Sequence, residues 1–396
     1  MLTRAQIALL AAFGAIAPIS IDMYLPAMPL LADELSVSAQ QAGQSVSVFF
    51  SGVALGQLVA GPLSDRFGRK SIILIGLVLY IMGSVAALLT ASFNLLLLAR
   101  VGQALGACAI TVAGRSVVRD KLDHVESARL FSLLALIGGL APILAPSIGN
   151  LIMAFAEWRA IFLIMAIAAG LMLLATLFLL PESRSEETRL QAIGEHPFRA
   201  YRSLLGNRLI LGSILAAACN SACMFAYIAN SPAVLMDGYG VSQTNFGFLF
   251  AMNSAGLIAA SQLNRILLKT RTPEQVLRGS ARNAVVFAAL FALFAATAWG
   301  GLTALLVLLF FVIASAAVIQ ANTLACALSV DQSRTGSTAA LFGAATFAAG
   351  TVSSWIAGIV HTPDGRGLAA VIAVCLVGCA ATIFWITRAR QLTTQA

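Results

Sequence analysis

Gly61-Pro62-Leu63-Ser64-Asp65-Arg66-Phe67-Gly68-Arg69-Lys70 interrupts two long apolar runs, Val46 to Ala60 and Ile72 to Leu89. Three cations fall within its last five positions. Positive charge gathers on the inner side of a membrane-spanning chain, so this break is expected to face the cytoplasm and to set the direction of every other span. Gly61 and Gly68 allow a tight reversal, Pro62 is expected to end the preceding helix, and Asp65 stands one helical turn before Arg69, where the two can pair.

Composition agrees with a membrane reading. Of 396 residues, 60% are hydrophobic and 10% charged, which excludes a soluble globular domain and a disordered chain. A spanning helix needs about 20 apolar residues, so twelve helices joined by short loops use nearly the whole chain. The net charge of +8 raises the question of nucleic acid. With the second-half spans read at about 209–233, 245–267, 277–298, 302–326, 337–360 and 368–388, and the first-half spans below, every cation except Arg100, Arg159 and Arg366 lies in the N-terminus, the even-to-odd loops or the C-terminal tail. That distribution is topology, with both termini cytoplasmic, and not a nucleic-acid patch. The cysteines, Cys108, Cys219, Cys223, Cys326, Cys375 and Cys379, all fall in apolar runs with no histidine or carboxylate beside them, so they read as small packing residues and no metal is expected.

The first span, about Gln6 to Leu30, carries Pro18, Asp22, Pro26 and Pro29 at spacings of four, four and three, which puts them on one helical face. Proline frees backbone carbonyls, so that face is expected to look into protein or a watery cavity. The third span, about Ser71 to Thr90, has no charge and reads as scaffold. The fourth runs from near Asn94 through Arg100 and Gln103 to Arg115. The fifth, about Ala128 to Phe155, carries Gly138, Pro142, Pro146 and Gly149 at the same spacings, a small and bendable stripe. The expected division is residues 1–182 as one six-helix bundle, 183–207 as a cytoplasmic linker and 208–396 as a second six-helix bundle. In the second half the polar residues at depth are neutral, and the loop Leu268 to Arg282 is basic but lacks the glycine and aspartate order of the opening stretch.

Asp22 is the one carboxylate deep in a span, and Arg100 is its one basic counterpart. A charge at that depth costs roughly 2.5–3.5 kcal/mol on insertion scales and marks a functional candidate. Counted from the outer helix ends at 1.5 Å per residue, the two lie at nearly the same level, so they are expected to pair if the first and fourth helices are neighbours. A carboxylate that leaves and rejoins a guanidinium would alternately hold and release a proton. Tyr24, Gln103, Asn220, Tyr227, Asn230 and Asn253 are the candidate substrate contacts, suited to neutral or zwitterionic amphipathic compounds. An embedded enzyme would need a nucleophile with its base or a metal cluster at depth, and none is visible.

The string Gly61-x-Leu63-Ser64-Asp65-Arg66-x-Gly68-Arg69-Lys70, placed between the second and third spans, resembles the signature loop of the major facilitator superfamily of secondary transporters. More narrowly, Ser20-Ile21-Asp22-Met23-Tyr24-Leu25-Pro26, and Arg100-Val101-Gly102-Gln103-Ala104-Leu105-Gly106-Ala107-Cys108 with Arg115 and Val118-Arg119-Asp120, are similar to its bicyclomycin and chloramphenicol resistance subfamily, Bcr/CflA. Gly138 to Gly149 resembles the motif of exporters, although Ala145 and Asn150 stand where the common antiporter motif has glycine. The resemblance implies an all-α, twelve-helix drug:proton antiporter of the bacterial inner membrane, monomeric and surrounded by lipid, with no cofactor beyond the proton gradient. The alternative is a proton-coupled importer or exporter of a small metabolite. It further implies a gating role for Gly61, Asp65, Arg66, Gly68 and Arg69, and for Pro142, Pro146 and Gly149. Asp65 is expected to act as a latch near the N-terminus of the eleventh span, which begins after Gly336.

Overall fold

The computed structural model describes residues 2–183, 197–331 and 334–395; the side chains of several residues in the first turns of the fifth span and in the chain end stay outside that description. Every long element is a helix. In chain order these are α1 (Arg4–Asp22), α2 (Met28–Glu34), α3 (Ala39–Phe67), α4 (Arg69–Leu89), α5 (Phe93–Lys121), α6 (His124–Met153), α7 (Arg159–Leu179), α8 (Pro197–Leu205), α9 (Arg208–Pro232), α10 (Gln243–Leu267), α11 (Pro273–Thr297), α12 (Gly301–Leu328), α13 (Thr335–Ile359) and α14 (Arg366–Gln395). Taking α1 with α2 as one span, 11 are long and apolar enough to cross a membrane, and the 30-residue α6 is the remaining long helix.

The helices begin where the sequence caps them. Thr3 with Gln6 and Thr272 with Gln275 form reciprocal capping boxes, and Asp123, Asn207 and Ser242 accept from the first-turn amides of α6, α9 and α10. Along α4, Ile75, Met82 and Leu89 form an exposed apolar stripe for lipid, while Gly76, Tyr80, Gly83 and Ser84 are buried against α5. That contact is very close. A Cβ on Gly106 would lie 2.5 Å from the Gly76 carbonyl oxygen, and one on Gly83 would lie 2.7 Å from the backbone of Ala99 and of Gln103.

Two expectations are corrected here. Pro62 does not end α3, and Gly61 is helical, so the reversal falls on Gly68 alone, at φ 96°. A single proline removes one helical bond, and the turn beyond it is held by Ser64 Oγ donating to the Gly61 carbonyl and by Asp65 pairing with Arg69 at 2.6 Å. The first span, expected to carry Pro18, Asp22, Pro26 and Pro29 on one helical face, breaks between Asp22 and Met28 into a short 3-10 turn, Leu25–Ala27. Pro26 and Pro29 cannot donate to the carbonyls one turn earlier, and the chain tightens to Ala27 N→Tyr24 O and Met28 N→Leu25 O instead.

The chain divides into two compact units, Met1–Ser38 with Val48–His196, and Ala39–Ser47 with Pro197–Ala396. Part of the expected linker, 184–196, lies outside the described residues; its remainder contains the short helix α8.

Candidate functional site

In the first unit, the break after α1 and the close crossing of α4 on α5 bring five polar side chains together. Arg100 of α5 is fully buried. Its Nη1 donates to Gln103 Oε1 at 2.8 Å and its Nη2 to the Ser20 carbonyl at 2.9 Å. The guanidinium carbon lies 4.5 Å from the Phe49 ring centroid, 5.1 Å from that of Tyr24 and 5.9 Å from that of Phe162. Gln103 in turn donates to Ser84 Oγ at 2.7 Å, and Tyr80 shares a hydrogen bond of 2.5 Å with Ser20 Oγ. The Nε–H of Arg100 finds no hydrogen-bond partner among the described residues.

Asp22 lies at the last turn of α1, 4% exposed, where Gly149 lets α6 touch the break: a Cβ at Gly149 would lie 2.0 Å from the Met23 carbonyl oxygen. The expected Asp22–Arg100 ion pair is absent from this structure, and Asp22 makes no ion pair or hydrogen bond to a described residue. Magnitudes explain why Arg100 does without it. Two hydrogen bonds to a charged group contribute about 1.5–3 kcal/mol each. A desolvated cation over aromatic rings adds about 2 kcal/mol. Together these exceed the roughly 2.5–3.5 kcal/mol of an arginine at depth, so the carboxylate is not needed as counterion.

The third span, read as scaffold, supplies Tyr80 and Ser84 to this network, and Ser20 was also missed. The seven-residue spacing of Gly76 and Gly83 marks the tightly packed face on which Tyr80 and Ser84 lie, and is the signal that could have found them.

Of the other candidates, Tyr24 is completely enclosed, with its ring 5.5 Å from that of Phe162, and belongs to the cage around Arg100. In the second unit the amide donors hold helices together. Asn220 donates to the Ala316 carbonyl at 3.1 Å, Asn230 to those of Ala226 and Ser354 at 3.0 Å each, and Asn253 to the Tyr227 hydroxyl at 2.8 Å. Asn322 donates to Asn264 Oδ1 at 2.7 Å, a pairing across α12 and α10 that sequence reading did not anticipate. The Tyr227 and Phe250 rings stack beside the Asn253 bond, with centroids 6.0 Å apart.

The opening stretch builds a second charged cluster, at the Gly68 end of the first unit. Arg69, 5% exposed, pairs with Asp65 at 2.6 Å and Asp120 at 3.0 Å and donates to Ser64 Oγ at 2.7 Å. Glu182 accepts the backbone N–H groups of Arg69 and Lys70 at 2.9 and 3.1 Å, an anion on the N-terminus of α4. Gly68 is required there twice over, by its positive φ and because a Cβ would lie 2.4 Å from Glu182 Oε2. At the opposite end, Glu34 accepts from Trp158 Nε1 at 2.5 Å and from Arg159, which also donates to the Thr90 carbonyl at 2.7 Å. This clamp ties α2 to the start of α7. In α6, Pro142 and Pro146 are accommodated inside an uninterrupted helix.

Residues 10–354 match the family described as Major Facilitator Superfamily. The chain is 30% identical over 384 residues to "Uncharacterized MFS-type transporter YdgK" of Bacillus subtilis, covering 96% of this chain and 95% of that protein. It is also 30% identical over 382 residues to "Bicyclomycin resistance protein homolog" of Haemophilus influenzae, covering 93% of each, and 33% identical over 237 residues to "Multidrug resistance protein MdtL" of Escherichia coli, covering 60% of each. Among solved structures, the D-xylose-proton symporter has a similar fold, with a TM-score of 0.74 at 16% identity over 96% of this chain and 97% of that one.

Proposed function

The chain belongs to the Major Facilitator Superfamily, and we propose that it is a proton-coupled multidrug exporter of the bacterial inner membrane, moving small amphipathic compounds of phenicol or bicyclomycin type by alternating access. The family and its many apolar helices make it a multi-pass membrane transporter rather than an enzyme. The names of the resistance relatives support the substrate class, and the cation asymmetry of the loops supports cytoplasmic termini. The likeness to a symporter speaks for fold alone and does not choose a direction.

The observation that carries the proton reading is Asp22: a buried carboxylate at a break in its helix, without a partner among the described residues, in the same unit as a guanidinium whose Nε–H is also unpartnered. Arg100 is fixed by Gln103, Ser20 and three rings, so the part that moves is the Asp22 turn, hinged at the 3-10 segment. Bringing the carboxylate to the open N–H exchanges its proton for the guanidinium; withdrawing it restores the protonated acid. A substrate displacing the pair, or a proton displacing the substrate, then couples the two fluxes.

Substrate selection falls to neutral groups, with Asn220, Tyr227, Asn230 and Asn253 offering carboxamide and ring surfaces and Gln103 and Tyr24 bordering the charged cage. Gating falls to the Gly68-end cluster with Gly61, Asp65, Arg66 and Arg69, and to the Pro142, Pro146 and Gly149 face of α6. A resistance screen across a drug panel in pump-deleted cells, with wild type and Asp22→Asn side by side, tests this assignment. Resistance that needs Asp22 supports it, whereas no phenotype for any amphipathic drug, together with proton-driven uptake of a metabolite, would replace it with the importer.

A further inference from the structure

In the second unit, α13 and α14 touch at one end and part along their length. At the touching end a Cβ on Gly367 would lie 1.7 Å from the Val360 carbonyl oxygen. Beyond it the helices leave a cavity of about 600 Å³, whose floor is Ala222 of α9 and whose walls include Ala349, Ser353 and Ile356 of α13 and Val371 and Cys375 of α14. Small residues make the gap: alanine and serine on one wall face alanine and cysteine on the other. Polar side chains do not claim it. Ser353 Oγ turns its proton to the Ala222 carbonyl at 2.8 Å, and Cys375 is a free thiol.

We propose that this groove holds an acyl chain of a bilayer phospholipid as a resident ligand. Three observations select that occupant. The rim is continuous with the lipid-facing surface, since Val352, Ile356 and Val374 line the groove and are also strongly exposed on membrane spans, as is Val360 just past the end of α13. The groove starts at the surface loop 361–365 and extends along α13 from Val360 to Ala348, which at 1.5 Å per residue is about 18 Å. One leaflet of hydrocarbon is about half of 30 Å, so the groove runs from the membrane surface to its middle, as a lipid tail does. The lining is almost wholly apolar, so a compound with hydrogen-bonding groups would leave them unmatched there. The tail fills the space that Ala349 and Cys375 leave between α13 and α14 and so supports the packing of both on α9.

The test uses the purified full chain in nanodiscs containing a phospholipid with a diazirine near the end of one acyl chain, followed by irradiation and peptide mapping. Lipid and groove are equally apolar, so the tail is held by van der Waals contact with both helices rather than by transfer from water. Adducts on Val352, Ser353, Ile356, Val371 and Cys375 are therefore expected at several-fold enrichment over the exposed α4 stripe of Ile75, Met82 and Leu89. Ala349→Phe with Ala370→Phe should remove the enrichment. Should that variant fail to insert, the milder Ala348→Leu and the wild-type map still decide. Labelling spread evenly over all lipid-facing helices overturns the proposal. So does displacement of the label by excess chloramphenicol, which would make the groove a drug path, or α13-to-α13 crosslinks between two copies, which would make it a dimer contact.

Discussion

The two halves meet the same problem, polar groups at membrane depth, with different chemistry. In the first, Arg100 and Asp22 are charged or chargeable, and the guanidinium is enclosed by Gln103, the Ser20 carbonyl and the rings of Tyr24, Phe49 and Phe162. In the second, buried polarity is carried by carboxamides that pair with one another, with backbone or with a phenol, as in Asn322–Asn264, Asn220 to the Ala316 carbonyl and Asn253–Tyr227. Both leading helices nevertheless break near a Pro-Ala step: α1 gives way to the 3-10 turn at Pro26-Ala27, and α9 to a wide π-helical turn after Pro232 at Ala233–Gly238. Architecture is therefore shared and chemistry divided. Amide pairs satisfy each other in one state, whereas a buried carboxylate without a counterion carries its charge only at a cost, and this difference is the ground for placing the proposed coupling in the first half.

Variants can break or sharpen this division, and the largest effect is expected at Asp22. Asp22→Asn should reduce proton-driven export to background while leaving insertion intact; export at wild-type rate would move coupling elsewhere. Next comes Arg100→Ala, which removes two charge-assisted bonds worth about 1.5–3 kcal/mol each, so transport should fall by two orders of magnitude or more and thermal stability with it. Arg100→Lys should recover only part of the loss, because a point charge cannot donate as a fork and stack on three rings. Equal transport and melting temperature for wild type and Arg100→Ala would remove the cage from the account.

A third comparison sets the inner hairpin of each half side by side. Asp65→Asn removes one acceptor from the almost buried Arg69 and, if Asp65 also serves as a latch, a shift of about 1.4 kcal/mol would change the balance of states tenfold. Glu274→Gln in the first turn of α11, where Thr272 and Gln275 already cap the helix, should alter transport far less. Cysteine probes on cavity-facing positions check this: reactivity should rise on the cytoplasmic side and fall on the opposite side in Asp65→Asn only. The smallest effect belongs to Asn253→Ala. Hydrogen bonds between membrane helices average about 0.6 kcal/mol, so stability should drop slightly while the ranking of exported drugs changes and the proton-to-drug ratio stays constant. A changed ratio would place coupling in the second half too.

Much of this was legible in the sequence. Long apolar runs gave the spans, and Asp65 four residues before Arg69 gave the ion pair, because helix periodicity and membrane thickness are local constraints. What escaped was set by tertiary contact. The partner of Arg100 could not be deduced from depth alone, since a carbonyl freed near a helix break and an amide one turn away compete with any carboxylate at the same level. Tyr80 and Ser84 were hidden because a neutral hydroxyl in an apolar helix gives no pattern until the glycine contact with α5 is known. Glu182, capping α4 from a distance of more than 100 residues, has no local signature at all.

The central claim, that Asp22 carries the proton, is tested most directly in everted vesicles holding an imposed pH gradient. The measurement is drug-driven proton release, followed with an internal pH-sensitive dye, for wild type, Asp22→Glu and Asp22→Asn at matched protein levels. The account predicts release by wild type, reduced release by Asp22→Glu and none by Asp22→Asn. Drug-driven proton release by Asp22→Asn equal to wild type would contradict it.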